Sequence, residues 1–418
     1  MLRRFLENRL LDSLREFPIV LVTGARQVGK TTLVRAMASS KWPAKYATLD
    51  TLATLEAALR DPDGFLSENP APLIIDEVQK APDLLRAIKL RVDNNRKPGQ
   101  YILTGSANIM TLKTVSETLA GRVALLNLYP FSWAELLKKK QPDTLPHLFR
   151  TTRPSEFISA LPSKSPVPSY KEIKARILAG GYPVPSLMGS KSSRSTWFDG
   201  YRQTYLERDV RDITHLGNLP DFNRLLSMSA SRTSQLLNYS SMSQDLGLPY
   251  TTVRRHLGLL ETTYQIFLLR PYYANIGKRL IKSPKLHLTD TGMACHLMGI
   301  DSWSVLERQN KVGAIFETWV ASELLKLISV SSPGTRLWFW RTVDRKEVDF
   351  LIEKGGELIA IQVTWSQKVG RRTIASLHAC AEDLGSSVRL ALVLYPGDES
   401  IALDRRTALI PITAFLGV

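Results

Sequence analysis

Cysteine is almost missing: Cys295 and Cys380 are the only two in 418 residues. They form no metal-ligand spacing and cannot build a disulfide scaffold, so both are expected to be reduced structural thiols in a cytoplasmic chain. Long apolar runs are missing too. None approaches the 18 residues of a membrane span, so no membrane partner is expected. The first stretch, Leu2 to Leu14, carries Glu7 and Asp12 where a signal peptide would be apolar. Its Leu2, Phe5, Leu6, Leu10 and Leu14 spacing predicts an amphipathic helix instead. There is no repeat of fixed period and no low-complexity tail. Acidic residues are in short supply: 39 Asp and Glu face 55 Lys and Arg, a net charge of +16. Such an excess favours a polyanionic partner, with plain solubility as the simpler reading.

What is present describes a globular chain of two to four domains, 44% hydrophobic and 22% charged. From Pro18 to about Leu136, short apolar runs alternate with helical patterns, the signature of a parallel sheet covered by helices. The runs are Ile19–Val22, Tyr46–Leu49, Leu73–Ile75 and Tyr101–Leu103. Residues 137–170 hold Lys138, Lys139, Lys140 and six prolines, a composition expected to break regular structure. Residues 171–270 read as mostly helical, with Trp197, Tyr201, Tyr205 and Val210 near helical spacing. Beyond Ile300, helix returns over Gly313–Lys326, and strands are predicted over Arg336–Arg341, Val348–Ile352, Leu358–Val363 and Leu390–Leu394.

The strongest local signal is Gly24-Ala25-Arg26-Gln27-Val28-Gly29-Lys30-Thr31, which follows an apolar strand and, with Thr32, opens a helix. That is a phosphate-binding loop. Its glycines let the backbone wrap phosphates, helix N–H groups meet the negative charge, Lys30 reaches the β and γ phosphates, and the Thr31 hydroxyl takes Mg²⁺. An apolar strand ending in Asp76-Glu77 supplies the other half: Asp76 for the magnesium shell, Glu77 for the attacking water. No Asn-Lys-x-Asp for guanine is present, so ATP is the expected nucleotide. Ser106, or second Thr104, would sense water or γ-phosphate at the end of the next strand, although Thr-Gly-Ser is also ordinary turn chemistry. Arg122, beside Gly121, is a candidate for stabilising the transferred phosphate, with a surface arginine as the equal alternative.

Taken together, Gly24–Thr31, Ile74-Ile75-Asp76-Glu77-Val78-Gln79, Leu103-Thr104-Gly105-Ser106-Ala107 and Leu119–Val123 resemble the prokaryotic AAA+ ATPases that carry a C-terminal region of uncharacterised function. The likeness continues through Gly180–Pro183, Tyr205–Val210 and Asn275–Arg279. It implies an α/β AAA+ core over residues 1–136, a lid or helical connection over 137–222, a winged helix-turn-helix over 223–298 and a restriction-endonuclease-like α/β domain over 299–418. The residues agree with a helix-turn-helix: Ser240–Leu246, a turn at Gly247-Leu248-Pro249, then Thr251–Thr263. Val253, Leu257 and Leu260 would face the core. Thr252, Arg254, Arg255 and His256 would point partly outward, and a wing would include Lys278, Arg279, Lys282 and Lys285. Arg254, Arg255, Lys278, Arg279 and Lys282 are therefore the candidate contacts to double-stranded DNA, with protein packing as the even alternative.

The C-terminal layout resembles a PD-(D/E)XK nuclease, with Glu317 on a helix and Glu347 and Asp349 on a strand. The positions of the second carboxylate and the lysine hold Gln362 and Thr364. That loss predicts a degenerate, inactive site, with Lys368 four positions beyond Thr364 as the nearest lysine and weak binding of one metal still open to Glu317, Glu347 and Asp349. The expected function is a magnesium-dependent ATPase coupled to DNA through the winged helix. The runner-up is a nucleotide-held switch or scaffold for protein partners, and a homo-oligomer is compatible with either.

Overall fold

The computed structural model describes residues 2–105, 119–161, 168–206, 219–273 and 282–418. Ser106, Lys278 and Arg279 lie outside the described residues, as does most of the Tyr205–Val210 stretch. The N-terminal sheet is parallel, built from β1 (Ile19–Thr23), β2 (Lys45–Thr48), β3 (Leu73–Asp76), β4 (Tyr101–Gly105) and β5 (Val123–Asn127), in the order β2-β3-β4-β1-β5. Four of these coincide with the apolar runs. The fifth was not anticipated, because a run as short as Val-Ala-Leu-Leu suits a helix equally well. β1 lies between β4 and β5 and is buried along its length. Its alternate residues enter different cores: Ile19 and Leu21 on one face, Val20 and Val22 on the other.

The helix expected near the N-terminus is α1 (Leu6–Glu16). It buries Leu6, Leu10 and Leu14 in the same cluster as Val20 and Val22. α2 (Lys30–Ser40) leaves the phosphate-binding loop, and α3 (Pro82–Asn94) covers the opposite face through Leu84, Leu85 and Ile88. The proline-rich segment is a correction: it folds into helices at Thr144–Leu148 and Pro154–Ala160. Pro154 occupies the first turn, where a missing N–H breaks no intrahelical bond, so proline there starts a helix rather than ending one.

Beyond helices at Tyr170–Ala179, Pro183–Leu187 and Lys191–Gly200, the middle segment comprises α4 (Leu219–Ser231), β6 (Gln235–Leu236), α5 (Tyr239–Leu246), α6 (Tyr250–Thr262), β7 (Ile266–Leu269) and β8 (Lys285–Leu288). Its strands form an antiparallel sheet ordered β6-β8-β7. Gly247 ends α5 with φ 65°, a left-handed C-cap that glycine accepts without strain. Val253, Leu257 and Leu260 face the core as the spacing required. His256 does not point outward: it is 1% exposed, edge-on to Phe222 of α4.

The C-terminal part begins with α7 (Val312–Ser331), buried on most sides. There follow β9 (Arg336–Arg341), β10 (Glu347–Lys354), β11 (Glu357–Val363), α8 (Arg371–Leu384), β12 (Val388–Tyr395), β13 (Ile401–Ala402) and β14 (Thr407–Pro411). The sheet order is β13-β14-β12-β11-β10-β9, antiparallel at both edges and parallel through β11, β12 and β14. One apolar cluster runs from Trp133 through the middle helices and α7 into this sheet. Among the described residues no helix is long and apolar enough to cross a membrane.

Candidate nucleotide site and a buried carboxylate cluster

The loop between β1 and α2 stands at the C-terminal edge of the parallel sheet, between the end of β1 and the N-terminus of α2. Gly24 adopts φ 146° and Gly29 φ 96°. At Gly24 a Cβ would come 2.2 Å from the Leu128 carbonyl oxygen, so both conformation and close approach require glycine. Lys30 is 6% exposed and lies back over the loop, donating to the Gly24 and Ala25 carbonyls, each at 2.9 Å. Its ammonium is thus held against the loop backbone by two carbonyls. Ala25 and Val28 are buried, Arg26 is half-buried, and Gln27 and Thr32 are exposed.

Thr31 Oγ1 donates to Asp76 Oδ2 at 2.8 Å, and Tyr46 OH donates to the same oxygen at 2.7 Å. Thr104 Oγ1 donates to Asp76 Oδ1 and accepts from the Glu77 backbone N–H at 3.2 Å. β3 and β4 are neighbours, with Ile75 opposite Leu103, and this places Thr104 beside Asp76. Asp76 therefore gathers three hydroxyls on its carboxylate. A hydroxyl oxygen and a carboxylate oxygen in contact, beside a phosphate loop, are the oxygen donors that magnesium takes. The residues fit that ion. Glu77 leaves the strand in a left-handed conformation, φ 61°, and its Oε2 accepts from Gln79 Nε2. Tyr46 was not foreseen, since only the register of β2 against β3 brings it to Asp76.

The loop is braced from two directions that the sequence does not reveal. Arg4, 6% exposed, donates to the Val28 carbonyl at 2.7 Å and the Tyr129 carbonyl at 2.6 Å, and pairs with buried Glu135 at 3.1 Å. Tyr264, the second residue after α6, is held at φ 59°. Its hydroxyl lies 2.7 Å from Thr23 Oγ1, and both hydroxyls reach Asn127 Oδ1, at 3.1 and 2.8 Å. Thr23 immediately precedes Gly24. Burial pushes the Tyr264 phenol up to about 12, so it remains a hydroxyl at any ordinary pH.

Arg122 is a correction. Its carbonyl accepts from Ile19 N–H at the start of β1, about 16 Å of extended strand from Gly24. Its guanidinium grips Asp93 at 2.5 and 2.8 Å and the Ala120 carbonyl at 2.7 Å. It stands at the wrong end of the sheet to touch a phosphate on its own loop.

In the middle segment Arg254, Arg255 and Lys282 are exposed. Lys285, expected in the wing, is instead buried at 2% exposure in the C-terminal carboxylate cluster. Its Nζ lies 2.7 Å from Glu317 Oε1, 2.6 Å from Glu347 Oε1 and 3.7 Å from Asp349 Oδ1. Asp349 Oδ2 accepts from Gln362 Nε2 at 2.5 Å and from Val363 N–H at 2.8 Å. Burial alone would lower the Lys285 pKa, but the three carboxylates outweigh it and hold it above the usual value. Burial raises the carboxyls of Glu317 and Asp349. Thr364 turns elsewhere, its Oγ1 accepting from Ser366 N–H at 3.2 Å, and the backbone of Lys368 closes the same turn through Ser366. Among the described residues no group of three or more His, Cys, Asp or Glu is set out to hold a metal ion.

Comparison with known proteins agrees with the N-terminal geometry. Residues 16–137 match the family described as "AAA domain". Residues 170–304 and 312–415 match two families described as domains of unknown function, DUF8612 and DUF4143. An uncharacterized protein of Mycobacterium tuberculosis is 31% identical over 412 residues, covering 98% of this chain and 83% of its own length. An uncharacterized protein of Methanocaldococcus jannaschii is 22% identical, covering 95% and 87%. Among solved structures, the Walker-type ATPase of Pyrococcus abyssi is similar at 16% identity and a TM-score of 0.42, covering 71% of this chain and 96% of that one. With a phosphate loop facing Asp76 and a relative 31% identical over 98% of this chain, the chain belongs to the family of AAA-type P-loop proteins that includes the uncharacterized M. tuberculosis protein.

Proposed function

We propose that this chain hydrolyses ATP with magnesium, and that its nucleotide state is relayed to a winged helix-turn-helix that contacts double-stranded DNA. The observation that carries the first part is the Thr31–Asp76 hydrogen bond, 2.8 Å long, beside a loop that already holds an ammonium. Thr31 and Asp76 would hold the magnesium ion, which neutralises charge on the β and γ phosphates when bound. Lys30 turns from the loop carbonyls to the β and γ phosphates, which are better acceptors because they are charged. Glu77 orients a water and takes its proton as the water oxygen bonds to the γ phosphorus. The bond from that phosphorus to the β-γ bridging oxygen breaks, leaving ADP and phosphate.

The second part is supported by connectivity and charge. α5, the Gly247 turn and α6 have helix-turn-helix layout with β6, β7 and β8 as the accompanying sheet, and Arg254 and Arg255 stand exposed on α6. Tyr264 joins the end of α6 to the residue before the phosphate loop, a contact that a moving loop would pull. The alternative, a switch that holds ATP and turns it over slowly, is favoured by one contact: Gln79 occupies a Glu77 oxygen, and water activation requires that contact to open. ATP turnover measured with and without duplex DNA separates the two. Stimulation by DNA supports the coupled ATPase, and slow turnover indifferent to DNA supports the switch.

A further inference from the structure

The carboxylate cluster of the C-terminal domain contains a cation that the middle segment donates. Glu317 comes from α7, and Glu347 and Asp349 from β10; all three lie within 4 Å of one ammonium. Three carboxylates converging in a buried place repel one another and lose hydration, so such a cluster must take up protons or gather around a positive charge. In many proteins that charge is a divalent metal. Here it is Lys285, and two further oxygens are also engaged: Arg341 binds Glu347 Oε2 at 2.6 Å, and Gln362 and Val363 N–H bind Asp349 Oδ2. Lys285 does not reach in on a loose arm. It belongs to β8, paired on both sides by β6 and β7, and an isolated bridge from Pro271 to Phe339 ties the same region to β9.

We propose that Lys285 is an internal cation that occupies the C-terminal carboxylate cluster in place of a divalent metal, closing the cluster and docking the three-stranded sheet onto the C-terminal domain. An ammonium and a divalent ion compete for the same oxygens, so the cluster takes metal only when the lysine leaves. The proposal is independent of the nucleotide site, and its test uses the full chain without nucleotide.

Mn²⁺ binding is measured by the loss of the free-ion paramagnetic resonance signal, for wild type, Lys285→Met, Asp349→Asn and the double variant. We expect wild type and Asp349→Asn to bind Mn²⁺ alike. Lys285→Met should bind one more ion, about tenfold or more tighter than wild type, and lose it when Asp349→Asn is added. Wild-type Mn²⁺ binding that disappears in Asp349→Asn overturns the proposal, as does a folded Lys285→Met that gains no ion. Should Lys285→Met fail to fold in metal-free buffer, recovery with Mn²⁺ or with an added Glu317→Gln supports the proposal, and recovery with neither overturns it. Metal-dependent DNA nicking by wild type that Lys285→Met abolishes would make the lysine part of a working site and also overturn it.

Discussion

Asp76 shows how much chemistry one carboxylate can organise. Tyr46, Thr31 and Thr104 all donate to it, and the Thr104 oxygen also accepts from the next backbone N–H. Removing one donor leaves the carboxylate in place with looser aim. Tyr46→Phe should therefore raise the magnesium concentration needed for half-maximal ATP turnover a few-fold, with an unfolding cost of about 1–2 kcal/mol. A magnesium titration of turnover beside a denaturant melt would check both. The roles of Lys30, Thr31, Asp76 and Glu77 were legible because each belongs to a short stretch in which strand, loop and helix follow directly. Tyr46 and Thr104 depend on strand order, and Arg122 depends on which end of its strand it occupies. Neither is written in local spacing. Lys285 was read as a wing lysine for the same reason: its partners lie 32, 62 and 64 positions further on.

Elements explain how the loop is braced. Arg4, just ahead of α1, reaches the phosphate loop, where it satisfies two carbonyls and buried Glu135. Arg4→Met would leave that carboxylate without its charged partner, with only the Phe5 and Ser132 donors, at a cost of about 3–5 kcal/mol by denaturant unfolding. α6 reaches the other side of the loop through Tyr264. Tyr264→Phe should abolish any response of ATP turnover to DNA, and a response equal to wild type would break the proposed link. α6 also contains His256, whose two ring nitrogens have no hydrogen-bond partner among the described residues, and β8 contains buried His287. Burial lowers both imidazole pKa values below the ordinary value of 6.5, with Arg255 and Lys285 adding to the effect. Both are therefore neutral when folded and take up protons on unfolding below pH about 6.5, so stability present above that pH is lost as pH falls. Thermal melts from neutral to mildly acidic pH should show this fall, and His256→Leu should flatten it. The helices of the middle segment were visible in their apolar spacing. The burial of His256 was not, because it depends on α4 packing across that position.

The whole molecule resembles a chain of modules by sequence but shares one apolar cluster from the middle helices into the C-terminal sheet. Tyr264 packs against the cluster beside the phosphate loop, while α6 before it buries Val253, Leu257 and Leu260 in the shared one. The surplus of +16 gives the surface its electrostatic bias. If the middle segment meets DNA through α6, Arg254→Ala with Arg255→Ala should weaken binding across sequences and reduce the slope of log affinity against log salt by about 2. An unchanged slope would remove both arginines from the interface.

The central claim is that the loop, Asp76 and Glu77 turn over ATP, and phosphate release by wild type and Glu77→Gln, set beside ATP binding by each, tests it most directly. We expect magnesium-dependent release from wild type, and a Glu77→Gln variant that binds ATP as well while its kcat falls about a hundred- to ten-thousandfold. Equal turnover by the two proteins, or no turnover by wild type with or without DNA, would contradict it.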